Sequence, residues 1–175
     1  IDKCIDISAG SGRFSYDLIK KANMVVFCDI AVDSAVYLSR KILQQKSNAL
    51  VFRCDYMSPP FKDKVFDLCI CNDTLIYGYE HEMALLLSIH KILKDGGVAV
   101  LDFSNIYHRG FWHKPYTIAY SKREMIKMLK MVGFIIDSYK PIYYELGWDL
   151  DETSIYSKLL KTILPPTRYI FKVIK

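Results

Sequence analysis

The 175-residue chain is 51% hydrophobic and 25% charged, which suits one α/β domain with a single core and excludes a disordered or low-complexity polypeptide. Its net charge of +5 is spread over scattered pairs such as Lys20-Lys21 and Arg40-Lys41, with no run that forms a nucleic-acid arm. No stretch is long and apolar enough to span a membrane. The five cysteines (Cys4, Cys28, Cys54, Cys69 and Cys71) lie in or beside apolar runs and read as buried small hydrophobes of a reducing, cytoplasmic compartment. Cys69 and Cys71 are two apart, share a strand face and form no CxxC motif, so no metal site is expected. The chain opens on Ile1, and one domain over residues 1–175, preceded by a further N-terminal segment, is expected.

In chain order, Ile5-Asp6-Ile7 after Cys4 reads as a buried strand that the Gly/Ser cluster Ser8 to Gly12 breaks. Phe14, Leu18 and Ile19 recur at helical spacing. Met24 to Cys28 is a second apolar run, closed by Asp29. A helix follows with a stripe of Val32, Ala35, Val36, Ile42 and Leu43. Ala49 to Cys54 forms the third strand, closed by Asp55, and Phe66 to Cys71 the fourth, closed by Asn72. Met83 to Leu93 predicts an amphipathic helix ended by the glycines of Lys94-Asp95-Gly96-Gly97. Val98 to Phe103 predicts the fifth strand. Ser121 with Glu124 three residues on reads as a capping box opening a helix that stops at Gly133. Phe134 to Tyr139 and Tyr169 to Ile174 predict two last strands, with a helix over 153–164 between them. Strands that alternate with helices predict a parallel sheet with helices on both faces, whose strand carboxyl ends share one ligand-binding edge.

Three acids mark the ends of successive strands: Asp6, Asp29 and Asp55, with Asn72 at the end of the fourth. The turn Asp6-Ile7-Ser8-Ala9-Gly10-Ser11-Gly12 lets backbone approach a ligand closely, and Asp29 is placed to accept hydrogen bonds from ribose hydroxyls. Taken together, these features resemble the class I, Rossmann-like S-adenosylmethionine (SAM)-dependent methyltransferases. The glycine turn matches their first motif, Asp29 their ribose-binding acid and Cys54-Asp55-Tyr56 their adenine-contacting segment. Phe66 to Asn72 is similar to their fourth-strand motif, Leu93 to Gly97 to their turn into the fifth strand, and Gly133-Phe134 to the entry of their sixth. The resemblance covers roughly residues 3–140.

That resemblance implies a doubly wound, mostly parallel seven-stranded sheet of order 3-2-1-4-5-7-6 with the last strand antiparallel. SAM is the implied cofactor, held by Asp6, Ser8, Ala9, Gly10, Gly12, Asp29, Ile30, Asp55, Tyr56 and Asn72. Gly10 and Gly12 would lie near its methionine end, Asp29 on the ribose, Asp55 on the adenine amine beside Tyr56, and Asn72 near the sulfonium. Ser8 departs from the pattern, standing where the family has its first glycine.

SAM carries its own activated methyl group, so no dedicated catalytic side chain is required, and a base only if the nucleophile is protonated. The candidates are Tyr77, His108 and His113, with Tyr144 and Glu145 beyond the sixth strand. The aromatic segment 107–120 reads as a pocket lid or as packing over the sheet, and residues 143–166 as an insertion that shapes substrate choice. Asn72-Asp73-Thr74-Leu75 lacks the prolines with which DNA-amino methyltransferases display a flipped base, so a small-molecule acceptor is expected first, with RNA or protein as alternatives. A non-catalytic module that kept the sheet is a rival reading. A nicotinamide-dependent enzyme is disfavoured, because a Gly-x-Gly-x-x-Gly fingerprint from Gly10 meets Ser15 where Gly or Ala is needed.

Overall fold

The computed structural model describes residues 1–43, 48–76, 78–108, 118–143 and 165–175. The described strands are β1 (Lys3–Ile7), β2 (Met24–Asp29), β3 (Ala49–Arg53), β4 (Phe66–Leu75), β5 (Leu93–Ser104), β6 (Ile135–Ile142) and β7 (Arg168–Ile174). The described helices are α1 (Ser15–Lys21), α2 (Val32–Leu43), α3 (Tyr79–Ile92) and α4 (Lys122–Val132). The strands form one seven-stranded sheet of order β3-β2-β1-β4-β5-β7-β6, as the sequence implied. β1 to β5 run parallel, while β7 is antiparallel to both β5 and β6. The order reverses between β1 and β4, which opens a crevice at their carboxyl ends.

The central strands are apolar without alternation because both faces are covered. Cys4, Val25 and Phe27 join Leu18 of α1 and Leu38 and Ile42 of α2 in one core layer. Ile5, Ile7, Val26, Cys28, Cys69 and Cys71 join Leu85, Leu86 and Ile89 of α3 and Met125 and Leu129 of α4 in the other. All five cysteines are free and buried. Phe27, Phe66, Phe103 and Phe171 are fully buried, each contributing about 1.5–3 kcal/mol by removal from water. α4 starts on the expected capping box, in which Ser121 accepts from the Glu124 N–H and the Glu124 side chain accepts from the Ser121 N–H, and ends on Gly133 at φ 103°.

The bounds of α3, β5 and β4 differ from the sequence reading. α3 starts earlier and ends at Ile92, and Leu93 is already extended, so Lys94-Asp95-Gly96-Gly97 belongs to the start of β5 and does not cap a helix. The reason is tertiary: the Gly96 N–H donates to the Lys175 carbonyl and the Lys175 N–H to that of Gly97, tying this stretch to the end of β7. β4 does not stop at Cys71 but runs on to Leu75, with its register against β5 shifted between those two residues. The helix expected over 153–164 lies outside the described residues. Among the described residues, no helix is long and apolar enough to cross a membrane.

Candidate active site

β1 enters the glycine turn through Asp6 and Ile7, and the chain there folds on itself: the Ala9 N–H donates to the Cys28 carbonyl at 3.0 Å and the Gly12 N–H to the Ala9 carbonyl at 2.8 Å. Three residues of the turn take left-handed backbone, Ser8 at φ 59°, Gly10 at 53° and Gly12 at 76°. Ser8 thus adopts a conformation that glycine enters without strain, at a cost of roughly 1–2 kcal/mol for an L-residue. Part of that cost is offset by the lower entropy of the unfolded serine chain. Ser8→Gly is expected to raise the unfolding free energy by about 0.5–1 kcal/mol with the turn unchanged, checked by denaturant midpoints.

The two glycines differ in what surrounds them. A Cβ at Gly10 would meet nothing within 4 Å, whereas one at Gly12 would stand 2.4 Å from Leu38 Cδ1. The space over Gly10 is therefore open to a ligand, while Gly12 lets the turn lie on α2. Lys41 of α2 steadies the turn from outside, its Nζ donating to the Ser11 and Gly12 carbonyls at 3.0 Å each.

Asp29 closes β2 and faces the same turn. Its Oδ2 accepts from the Gly10 N–H at 2.9 Å and its Oδ1 from the Ala31 N–H at 2.8 Å. Each carboxylate oxygen keeps a lone pair for an incoming hydroxyl. Ile30 beside it is 55% exposed, an uncovered apolar side chain. Past β3, the exposed Asp55 fixes a local turn by accepting the Met57 N–H on Oδ1 at 2.9 Å, and Tyr56 is half-buried next to it. Cys28 and Cys54, directly ahead of these two acids, hydrogen-bond through their thiols, which pushes Cys28 up and holds Cys54 down.

Asp6 lies beneath the turn at 3% exposure. Burial, reinforced by the negative charge of Asp29, raises its carboxyl from 3.8 to about 7. Asn72 is half-buried in the shifted part of β4, with its Nδ2 donating to Asp73 Oδ2 at 2.9 Å. Asp6, Ser8, Ala9, Gly10, Gly12, Asp29, Ile30, Asp55, Tyr56 and Asn72 thus all sit at the carboxyl ends of β1 to β4 or in the loops that leave them.

The acceptor-side candidates fare differently. Tyr77, His113, Tyr144 and Glu145 lie outside the described residues. The half-buried His108 follows β5, its N–H donating to the Asn105 carbonyl at 3.1 Å. Tyr120, at the far end of the aromatic segment, is buried edge-on against Phe103 at 6.5 Å and belongs to the core.

Sequence reasoning missed an ion network at the same edge. Arg168, which opens β7, hydrogen-bonds through one nitrogen to both Asp73 and Asp102. Asp102 is 5% exposed, and its Oδ1 accepts the Asp73 N–H at 2.7 Å. Burial pushes the Asp102 carboxyl up, and Arg168 with the Asp73 N–H pulls it back. Asp102, a charge inside the apolar run Val98 to Phe103, was the available signal.

The fold matches solved structures along nearly its whole length. A SAM-dependent methyltransferase from Methanosarcina mazei superposes with a TM-score of 0.77 at 16% identity, covering 99% of this chain and 92% of that one. One from Mesorhizobium loti gives 0.76 at 15% identity, with 99% and 90% covered. A putative methyltransferase from Bacillus halodurans gives 0.73 at 18%, with 99% and 92% covered. Comparison with curated protein sequences gives no match. The family model described as a methyltransferase domain matches residues 4–97, more than half the chain, a stretch that includes the glycine turn, Asp29, Asp55, Asn72 and Gly96-Gly97. The chain belongs to this methyltransferase family.

Proposed function

We propose that the protein transfers a methyl group from SAM to a small molecule, using the crevice between β1 and β4. The observation that carries this reading is the Asp29 carboxylate, clamped across the glycine turn by the Gly10 and Ala31 N–H groups with a lone pair left on each oxygen. The donor set fits the cofactor. Asp29 would hold the ribose, Asp55 Oδ2 and Tyr56 the adenine with Ile30 against its ring, and the open backbone at Ser8, Ala9 and Gly10 the methionine end, over Asp6 and Gly12 and beside Asn72. SAM supplies an activated methyl on a sulfonium; the protein orients it and excludes water.

Ser8 favours a working site over a relic, because it keeps the left-handed turn that the family's glycine provides. A small acceptor is favoured because the exit from β4, Asn72-Asp73-Thr74-Leu75, bears no proline with which to present a flipped base. The test is calorimetric titration with SAM and its demethylated product S-adenosylhomocysteine (SAH), with NADH as control. SAH binding is expected, and Asp29→Ala, which removes two charge-assisted acceptors, should weaken it roughly hundredfold. NADH binding in place of SAH, or equal SAH affinity in wild type and Asp29→Ala, would sink this reading.

A further inference from the structure

The shifted part of β4 holds Asn72, Asp73 and Thr74. Such irregularities re-aim a side chain, and here the re-aimed residue is Asp73, at φ 60°. Its left-handed backbone is secured on one side by Asp102, which takes its N–H at 2.7 Å, and its Oδ1 is secured by Arg168. The same Arg168 nitrogen holds Asp102, so three strands, β4, β5 and β7, converge to fix one carboxylate. Charge-assisted bonds hold geometry strongly, and the Asp102 end of this network is buried at 5% exposure although Asp73 itself is exposed.

What this fixes in space is Oδ2. It receives Asn72 Nδ2 at 2.9 Å and lies 3.3 Å from the guanidinium of Arg13, the residue that follows Gly12. Oδ2 therefore occupies the gap between the glycine turn and the end of β4. The Arg13 pair is solvent-exposed, 63% on Arg13 and 42% on Asp73, so little free energy opposes its replacement.

We propose that Asp73 is the acceptor-orienting carboxylate of the transfer, its Oδ2 accepting the N–H or O–H of an amine or hydroxyl nucleophile in place of Arg13, with Arg168 and Asp102 as positioning residues. The inference rests on the SAM reading above. As the acceptor's N–CH3 or O–CH3 bond forms and the S–CH3 bond breaks, the thioether SAH leaves and the acceptor's proton passes to Asp73 and then to water.

The experiment needs no identified acceptor. Sinefungin is a SAM analogue that carries a primary ammonium where the methylsulfonium stands, so it aims N–H donors at the acceptor position. Calorimetry of SAH and sinefungin is compared in wild type, Asp73→Asn and Arg13→Ala. Asparagine tolerates left-handed backbone and keeps the N–H that Asp102 accepts. Asp73→Asn is expected to weaken sinefungin at least tenfold while SAH changes by less than threefold. Arg13→Ala, which removes the competing cation, is expected to tighten sinefungin severalfold with SAH unchanged. Equal losses for both ligands in Asp73→Asn would make the network a structural staple, and no selective change in either variant likewise overturns the proposal. Failure of wild type to bind SAH at all would instead remove the SAM reading and this inference with it.

Discussion

Gly12→Ala is expected to lower the unfolding free energy by about 2–5 kcal/mol and to abolish SAH binding. Two costs add. The backbone at φ 76° charges an L-residue roughly 1–2 kcal/mol. The new methyl would also stand 2.4 Å from Cδ1 of Leu38, a side chain that is 1% exposed, and overpacking of that kind costs about 1–3 kcal/mol. Leu38 is buried, so its side chain must repack within the core between the turn and α2. Gly10→Ala is the internal control: its Cβ would meet nothing within 4 Å, so it bears the backbone strain alone, although its methyl enters the open space over the turn. Unfolding free energies of the two variants, from denaturant titration, should differ by more than about 1 kcal/mol, and equal values would contradict the packing argument.

The second large effect is pH-linked and belongs to Asp6. Its carboxyl titrates near 7 in the fold and near 3.8 in the unfolded chain. Below both values the group is protonated in either state and contributes no pH dependence. Between them the folded protein keeps a proton that the unfolded chain releases, so stability falls as pH rises, by about 1.4 kcal/mol per unit and about 4 kcal/mol over the window. Above about pH 7 the loss is complete. Asp67, Asp95, Glu124 and Asp137 are shifted the other way, chiefly by hydrogen bonds from Lys94, Lys64, Ser121 and Lys172 respectively, so their stabilisation is lost only on acidification below the ordinary carboxylate range. Asp6→Asn removes the buried charge and should flatten the profile from pH 5 to 8, becoming more stable than wild type at pH 8. A wild-type-minus-variant difference that stays constant from pH 5 to 8 would refute this assignment.

How far the sequence revealed these features depends on how local each one is. Asp6, Asp29 and Asp55 were legible because each closes an apolar run, and the parallel order follows from the helices between those runs. The α4 capping box was legible because Ser121 and Glu124 are three residues apart. The continuation of β4 past Asn72 was not, because what sustains it is pairing of Leu75 with Phe103, a contact between distant segments. Arg168 lies 95 residues from Asp73 and 66 from Asp102, and no local pattern announces an ion network of that reach. The glycines at 96 and 97 misled for a related reason: they lie in the irregular start of β5, whose partner is the last residue, Lys175, rather than a helix end.

The antiparallel placement of β7 has an evolutionary corollary. Ile142, the last residue of β6, pairs with Arg168, and the Thr167 N–H donates to the Ile142 carbonyl at 2.8 Å. The chain therefore leaves and re-enters the sheet at neighbouring points on the edge that holds Asp73. Whatever joins those two points can lengthen, shorten or be exchanged without disturbing a single rung of the ladder, and each doubling of its length costs only about 0.6 kcal/mol of closure entropy. The junction of β6 and β7 is thus a place where the scaffold accepts a change of segment length at little cost to the sheet.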